Sequence, residues 1–317
     1  LQQRRGVPAG RVQRLQPGAV GGQASRRAIS GELTVGSPVL AQHQKADDGQ
    51  GKLLRGLGAH LPQPADGDFD DWHWLTQLNQ ARAVAFGIRH FRSHMPHTMG
   101  TVVWQLNDCW PVISWAAVDG DGRRKPLWYA LRRAYADRLV VVRDGAVFAV
   151  NDSPEVWEGQ LQLQRCALDG TVLGKESLPV GVAARAVGRV PLPGSVATPG
   201  DPAGEVLVVR LGEARQVHCY AEDTRVAWPE ARFDAQVAVD CDPGSGGGYV
   251  VTVTARTVLR DLALFPDRLD PAAEVDDMLV TLLPGESVRF RVTGAVLASP
   301  EALVRAPVLR CVNDRGW

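Results

Sequence analysis

The chain has 317 residues with 35 basic and 35 acidic side chains, so its formal net charge is zero. That balance argues against whole-chain attraction to nucleic acid or to an anionic membrane, which call for a basic excess, and no apolar run approaches the length of a membrane span. Cys109, Cys166, Cys219, Cys241 and Cys311 are odd in number and lack a C-x-x-C pair. Neither a disulfide framework nor a zinc site is indicated, and a cytoplasmic setting is the expectation.

Residues 1–30 stand apart: Arg4, Arg5, Arg11, Arg14, Arg26 and Arg27 all precede Glu32, the first acidic residue. Composition allows a basic arm for an acidic partner or plain disorder, and disorder is preferred. From Thr76 to Arg92, Leu78, Ala81, Val84, Ala85, Ile88 and Phe91 recur at helical spacing and Pro96 marks the stop, which predicts an amphipathic helix. A β-run follows from Gly100 to Leu106, and Lys125 to Tyr135 has the spacing of a further helix. Helix, strand, then polar and aromatic residues at the strand's end is the order of a β/α barrel, which places Asn107, Asp108 and Trp110 at the rim of a site.

Six of the nine tryptophans lie between Trp72 and Trp128, around the octapeptide Trp104-Gln-Leu-Asn-Asp-Cys-Trp-Pro111. Flat indole faces beside amide and carboxylate groups suit a sugar ring, whose C–H bonds stack while its hydroxyls take directional hydrogen bonds. A tryptophan-rich core is the competing reading.

Beyond Asp137 come short alternating runs: Val140–Val142, Ala146–Val150, Trp157–Leu163, Val206–Leu211, Ala235–Val239, Tyr249–Ala255, Met278–Leu283 and Ser287–Val292. Turn signals such as Arg143-Asp144-Gly145, Leu168-Asp169-Gly170, the stretch Pro191 to Gly204, Asp242-Pro243-Gly244 and Pro284-Gly285 separate them. This spacing predicts β-sandwiches, with Trp228-Pro229 as the boundary between two.

The blocks Gly100–Pro111 (GTVVWQLNDCWP), Ser114-Trp115 and Arg124–Arg132 (RKPLWYALR) resemble the end of the catalytic barrel in β-mannosidases of glycoside hydrolase family 2. The upstream blocks His43–Gly49 (HQKADDG) and Asp71–Trp74 (DWHW), running into Thr76–Ala81 (TQLNQA), agree with it. The resemblance extends over about residues 26–317 and is strongest up to about residue 140. It implies the C-terminal part of a (β/α)8 TIM barrel over 31–137, then two immunoglobulin-like β-sandwich domains over 138–227 and 228–317. Residues 1 to about 25 fit no part of it, and a shifted reading frame is the expectation there, with Arg26-Arg27-Ala28-Ile29 returning to the family's register.

The implied activity is that of a retaining exo-β-mannosidase, which removes terminal β-D-mannose from oligosaccharide or glycan ends. Retention needs two carboxyl groups about 5 Å apart, and in the family both are glutamates. Glu32 is the only glutamate before Glu155 and falls too late for the nucleophile by family register, so it is read as a loop residue. The acid/base is expected upstream and the nucleophile within the arginine-rich stretch. No catalytic residue is therefore assigned, and the chain alone is expected to be inactive.

Trp104 and Trp110 are the first choices for sugar contact, with Asn107 and Asp108 as polar readout. His43, Trp72 and Trp74 are second choices for the pocket wall, and Trp115 and Trp128 are assigned to the core. Arg89 stands where relatives often carry an acidic residue. No cofactor is implied. Asp47-Asp48 and the run Asp66, Asp68, Asp70 and Asp71 lack the ligand spacing of a calcium loop, and Pro96 interrupts His90, His94 and His97, so no metal is expected. Two alternatives remain: a non-catalytic carbohydrate-binding or scaffolding protein of immunoglobulin-like modules, and a family 2 exo-glycosidase acting on another sugar. The oligomeric state is left open.

Overall fold

The computed structural model describes residues 34–314 apart from 45, 59, 62–63, 65–67 and 242–246. The arginine-rich segment, Glu32, Asp66 and Trp317 lie outside the described residues. The first part is helical: α1 (Pro38–Gln42), α2 (Gly49–Gly58), α3 (Phe69–Arg92) and α4 (Pro126–Ala134). Helix α3 begins at Phe69 rather than Thr76 because Asp68 caps it, its Oδ1 accepting from the Asp71 amide at 3.0 Å. Asp70 and Asp71 occupy its first turn, and Arg89, His90 and Arg92 its last, which complements the helix dipole at both ends.

The predicted strand Gly100–Leu106 forms no ladder. Near it only the isolated bridges Asn107–Val118 and Val118–Arg124 occur among the described residues. The segment instead bends at Trp104 and Leu106, Leu106 O accepts from the Ala117 and Val118 amides at 3.0 and 2.9 Å, and Val102, Trp104 and Leu106 stand 97%, 73% and 58% exposed.

Seven strands follow as two antiparallel sheets, β1 (Arg138–Arg143), β2 (Ala146–Asn151) and β5 (Ala186–Pro191) against β3 (Trp157–Ala167), β4 (Val172–Val182), β6 (Glu205–Leu211) and β7 (Ala214–Cys219). Val140, Val147 and Ala149 from the first sheet meet Leu161, Leu163, Leu207 and Val209 from the second in one core, so the arrangement is a sandwich. The β1–β2 hairpin pairs Arg143 with Ala146, which leaves Asp144 and Gly145 as a two-residue turn. Their φ values of +48° and +67° are those a type I′ turn requires. A second pair of sheets joins β12 (Val280–Leu282), β10 (Leu259–Leu264) and β14 (Leu309–Arg310), and β11 (Glu274–Val275), β13 (Ser287–Thr293), β9 (Tyr249–Ala255) and β8 (Phe233–Val239).

The helical part is not a separate body beside this second sandwich. Leu57, Leu61, Trp74, Leu75, Leu78 and Tyr129 share one core with Val251, Leu262, Phe290 and Leu309. Buried ion pairs reinforce the contact. Arg310 reaches Asp70 at 2.9 Å and Asp71 at 2.7 Å, and Arg82 reaches Asp261 at 2.6 Å and Asp223 at 2.7 Å. Burial alone would raise the Asp261 pKa, but Arg260 and Arg82 hold it down to about 2.

His73 faces the opposite balance. Burial, followed by the charges of Arg268, Lys125, Arg310 and Arg123, lowers its pKa from 6.5 to about 3. The unfolded chain therefore takes up this proton first as pH falls, so the stabilisation is complete above about pH 6.5 and declines towards pH 3. His73→Asn should flatten the loss measured by urea unfolding between pH 6.5 and 5, where one such group contributes up to about 1.4 kcal/mol per pH unit. His218, also lowered by burial, keeps part of the slope. Identical slopes in both proteins would refute this assignment. No helix among the described residues is long and apolar enough to cross a membrane.

Candidate functional site

The loop from residue 100 to 125 carries the tryptophan-rich octapeptide, and its shape is set by Asp108. This carboxylate is 7% exposed; it accepts from Ser114 Oγ at 2.6 Å and from Gln105 Nε2 at 3.3 Å. The Asp108 amide donates to Val118 O at 3.0 Å. Burial lowers the Lys125 pKa, while Asp108 and Asp119 favour its charged form. Asp108 is thus the post around which the loop is wound, and its oxygens are largely committed within the protein. Asn107 lies beside it on the surface, its Nδ2 donating to Asp108 O at 3.3 Å. A second tie comes from the turn Asp119–Arg123, where Asp119 Oδ1 accepts the amides of Asp121 and Arg123, both at 2.9 Å.

His43, just after α1, is brought onto this loop from far upstream. Its Nδ1 lies 2.6 Å from Pro111 O. A carbonyl can only accept, so Nδ1 carries a proton and donates it. The imidazole stacks on Trp110 with centroids 6.0 Å apart and planes inclined by 26°, and Ile113 N donates to His43 O at 2.9 Å. The stacked pair forms a half-open aromatic wall, with Trp110 42% exposed and Trp104 more so. The Trp104–Gln105 peptide is cis.

Of the expected site residues, the structure therefore gathers His43, Asn107, Asp108 and Trp110 around one loop and leaves Trp104 on its surface. It removes the other two. Trp72 is 1% exposed and packs with Leu40, Phe69 and Ile113 beneath the loop. Trp74 is 2% exposed and meets Phe265 edge-on at 5.5 Å in the core shared with the second sandwich. Neither indole reaches the exposed face of the loop, because each is buried in a core, Trp72 with Leu40 and Phe69 and Trp74 with Phe265. Trp115, expected in the core, is 61% exposed. Trp128 is half-buried, with the Arg124 guanidinium 4.5 Å from its ring centroid. Arg89 is lowered to about 10 by burial and by Arg133. Ser114, Gln105 and Lys125 were not singled out from the sequence, and only the folded loop brings them to Asp108. Among the described residues no cluster of His, Cys, Asp and Glu could hold a metal ion.

No protein-family model matches the chain. β-Mannosidase B of Aspergillus flavus is 30% identical over 286 residues, which cover 81% of this chain and 33% of that protein. β-Mannosidase B of Aspergillus niger is 40% identical over 110 residues, covering 34% of this chain and 13% of that protein. Among solved structures, a β-D-mannosidase from Dictyoglomus thermophilum matches with a TM-score of 0.74 at 23% identity, over 90% of this chain and 36% of that one. The exo-chitosanase CsxA of Amycolatopsis orientalis matches with a TM-score of 0.59 at 15% identity, over 86% and 37%. The structural matches bear on fold alone. The chain spans about a third of the length of the relatives it matches most fully, and over that part it is similar to the β-mannosidases.

Proposed function

We propose that this chain is the C-terminal part of a retaining exo-β-mannosidase acting on terminal β-D-mannose of glycan ends. In this reading residues 31–137 close the end of a (β/α)8 barrel, and the two sandwiches are immunoglobulin-like domains. The observation that carries it is the segment Gly100–Leu106, which lies outside any sheet ladder, is exposed at Val102, Trp104 and Leu106, and leads into the loop on which Trp110 stacks with His43. A segment outside any ladder beside a polar, aromatic end is what the last part of a barrel presents when considered without its neighbours. Trp104, Trp110 and His43 then line the sugar, Asn107 offers its carbonyl to a hydroxyl, and Asp108 holds the loop. Trp72 supports the wall from below.

A non-catalytic carbohydrate-binding role would call for an aromatic strip on the sandwiches. Trp157 and Trp228 are each 5% exposed, which weighs against it. The test is a tryptophan-fluorescence titration with a β-mannoside, compared with β-glucosaminide and β-galactoside. A millimolar response, corresponding to about 4 kcal/mol of binding, is expected for the mannoside and should vanish in Trp110→Ala. An equal response to all three sugars, or one that survives Trp110→Ala, would contradict the proposal.

A further inference from the structure

A small, partly enclosed cavity lies where α3, the 119–126 segment and the short 3-10 turn Pro266–Arg268 meet. Its free volume is about 20 Å³, enough for one water-sized occupant. Four cations line it, Arg123, Arg124, Lys125 and Arg268, against the two carboxylates Asp119 and Asp267. Arg123 is answered by Asp119 and Asp121, and Arg124 by Glu274. Arg268 is answered incompletely. Its side chain is 3% exposed and Nη2 donates to Asp70 at 2.5 Å, but Nε and Nη1 meet no acceptor among the described residues. Among the described residues the Lys125 ammonium donates to Ser114 O at 3.4 Å, with Asp108 and Asp119 favouring its charge.

Unpartnered guanidinium donors in a buried place are costly, and His73 beside them is held neutral, so it adds no charge of its own. Burial also pushes the Asp267 carboxyl up, against the pull of Arg123 and Arg268, and Asp119 is engaged by Arg123. The donors call for a small acceptor, and a free volume of about 20 Å³ suits a monatomic anion better than a tetrahedral oxyanion or a sugar carboxylate. We propose that this cavity is a chloride site, with Arg268 Nε and Nη1 and the Lys125 ammonium as its donors. The ion would sit on the seam between the helical part and the second sandwich and tie the two together. This inference is independent of the sugar-binding reading.

The test uses the full chain and chloride itself. At constant ionic strength, exchanging sodium gluconate for sodium chloride should raise the melting temperature by about 2–5 °C, because a ligand bound only to the folded state stabilises it by mass action. ³⁵Cl NMR should show excess line broadening that bromide removes. Both effects should be lost in Arg268→Gln and reduced in Lys125→Met, and retained in Arg256→Gln, whose side chain is exposed. Should Arg268→Gln fail to fold, the Lys125→Met comparison still decides. Equal melting in the two salts without excess broadening would mean that water alone fills the cavity. A response undiminished in Lys125→Met, or one that sulfate reproduces, would equally overturn the proposal.

Discussion

Arg310→Ala should cost the fold about 3–5 kcal/mol in urea unfolding, the range for breaking a buried ion pair by removing one partner. Arg310 is 4% exposed, and its guanidinium spans Asp70 and Asp71 at the start of α3. Those carboxylates suit a helix N-terminus, but burial makes them dependent on Arg310, with Arg268 answering Asp70 alone. The exposed pair Arg256–Asp234 is the control. Arg256→Ala should change stability by no more than about 1 kcal/mol. Similar losses in the two variants would show that the α3–sandwich clasp does not hold the fold.

Trp74→Ala should cost a comparable amount, about 3–5 kcal/mol, as expected for emptying a large core site. Its distinguishing feature is where the loss is felt. Trp74 packs against Phe265 and shares its core with Tyr249, Val251 and Phe290 of the second sandwich. The helical signal and the sandwich signal should therefore shift together, as one transition. Loss of helix at low denaturant with the sandwich transition unmoved would mean that the two parts fold separately. That separability is what the sequence alone leads one to expect, since a linear reading of 31–137 and 228–317 gives no sign that Leu78 and Phe290 are neighbours.

The legible elements share a physical cause. Helix α4 and the body of α3 follow from 3.6-residue spacing, and the β1–β2 hairpin follows from Asp144-Gly145 between alternating runs. Strand β4 was missed because Gly174, Pro179 and Gly181 interrupt it; at the edge of its sheet, proline's missing N–H costs no ladder bond. Strand β7, with Arg215, Gln216 and His218, reads as polar because it too is an edge. The opposite difficulty hides β10: five of its six residues are buried, Asp261 among them, so no alternation marks it.

At the site, the octapeptide and His43 were legible as types of residue, but their roles were not. Trp72 and Trp74 stand two apart on a helix, so they point in different directions into two different cores. A Trp-His-Trp string carries no mark that tells a wall from its foundation. Asp108 likewise reads as a substrate ligand until Ser114, Gln105 and Lys125 are seen around it. Nor does the string show that Trp115, next to buried Ala116 and Ala117, faces outward.

The proposed sugar-contacting residues His43, Trp104 and Trp110 fall in a stretch that holds no glutamate between Glu32 and Glu155. Incubation of the purified 317-residue chain with an aryl β-mannoside tests the consequence most directly. The expected result is turnover no greater than in a mock preparation. Sustained turnover that disappears in Asp108→Ala would contradict it, because Asp108 would then be a catalytic group and not the post that holds the loop.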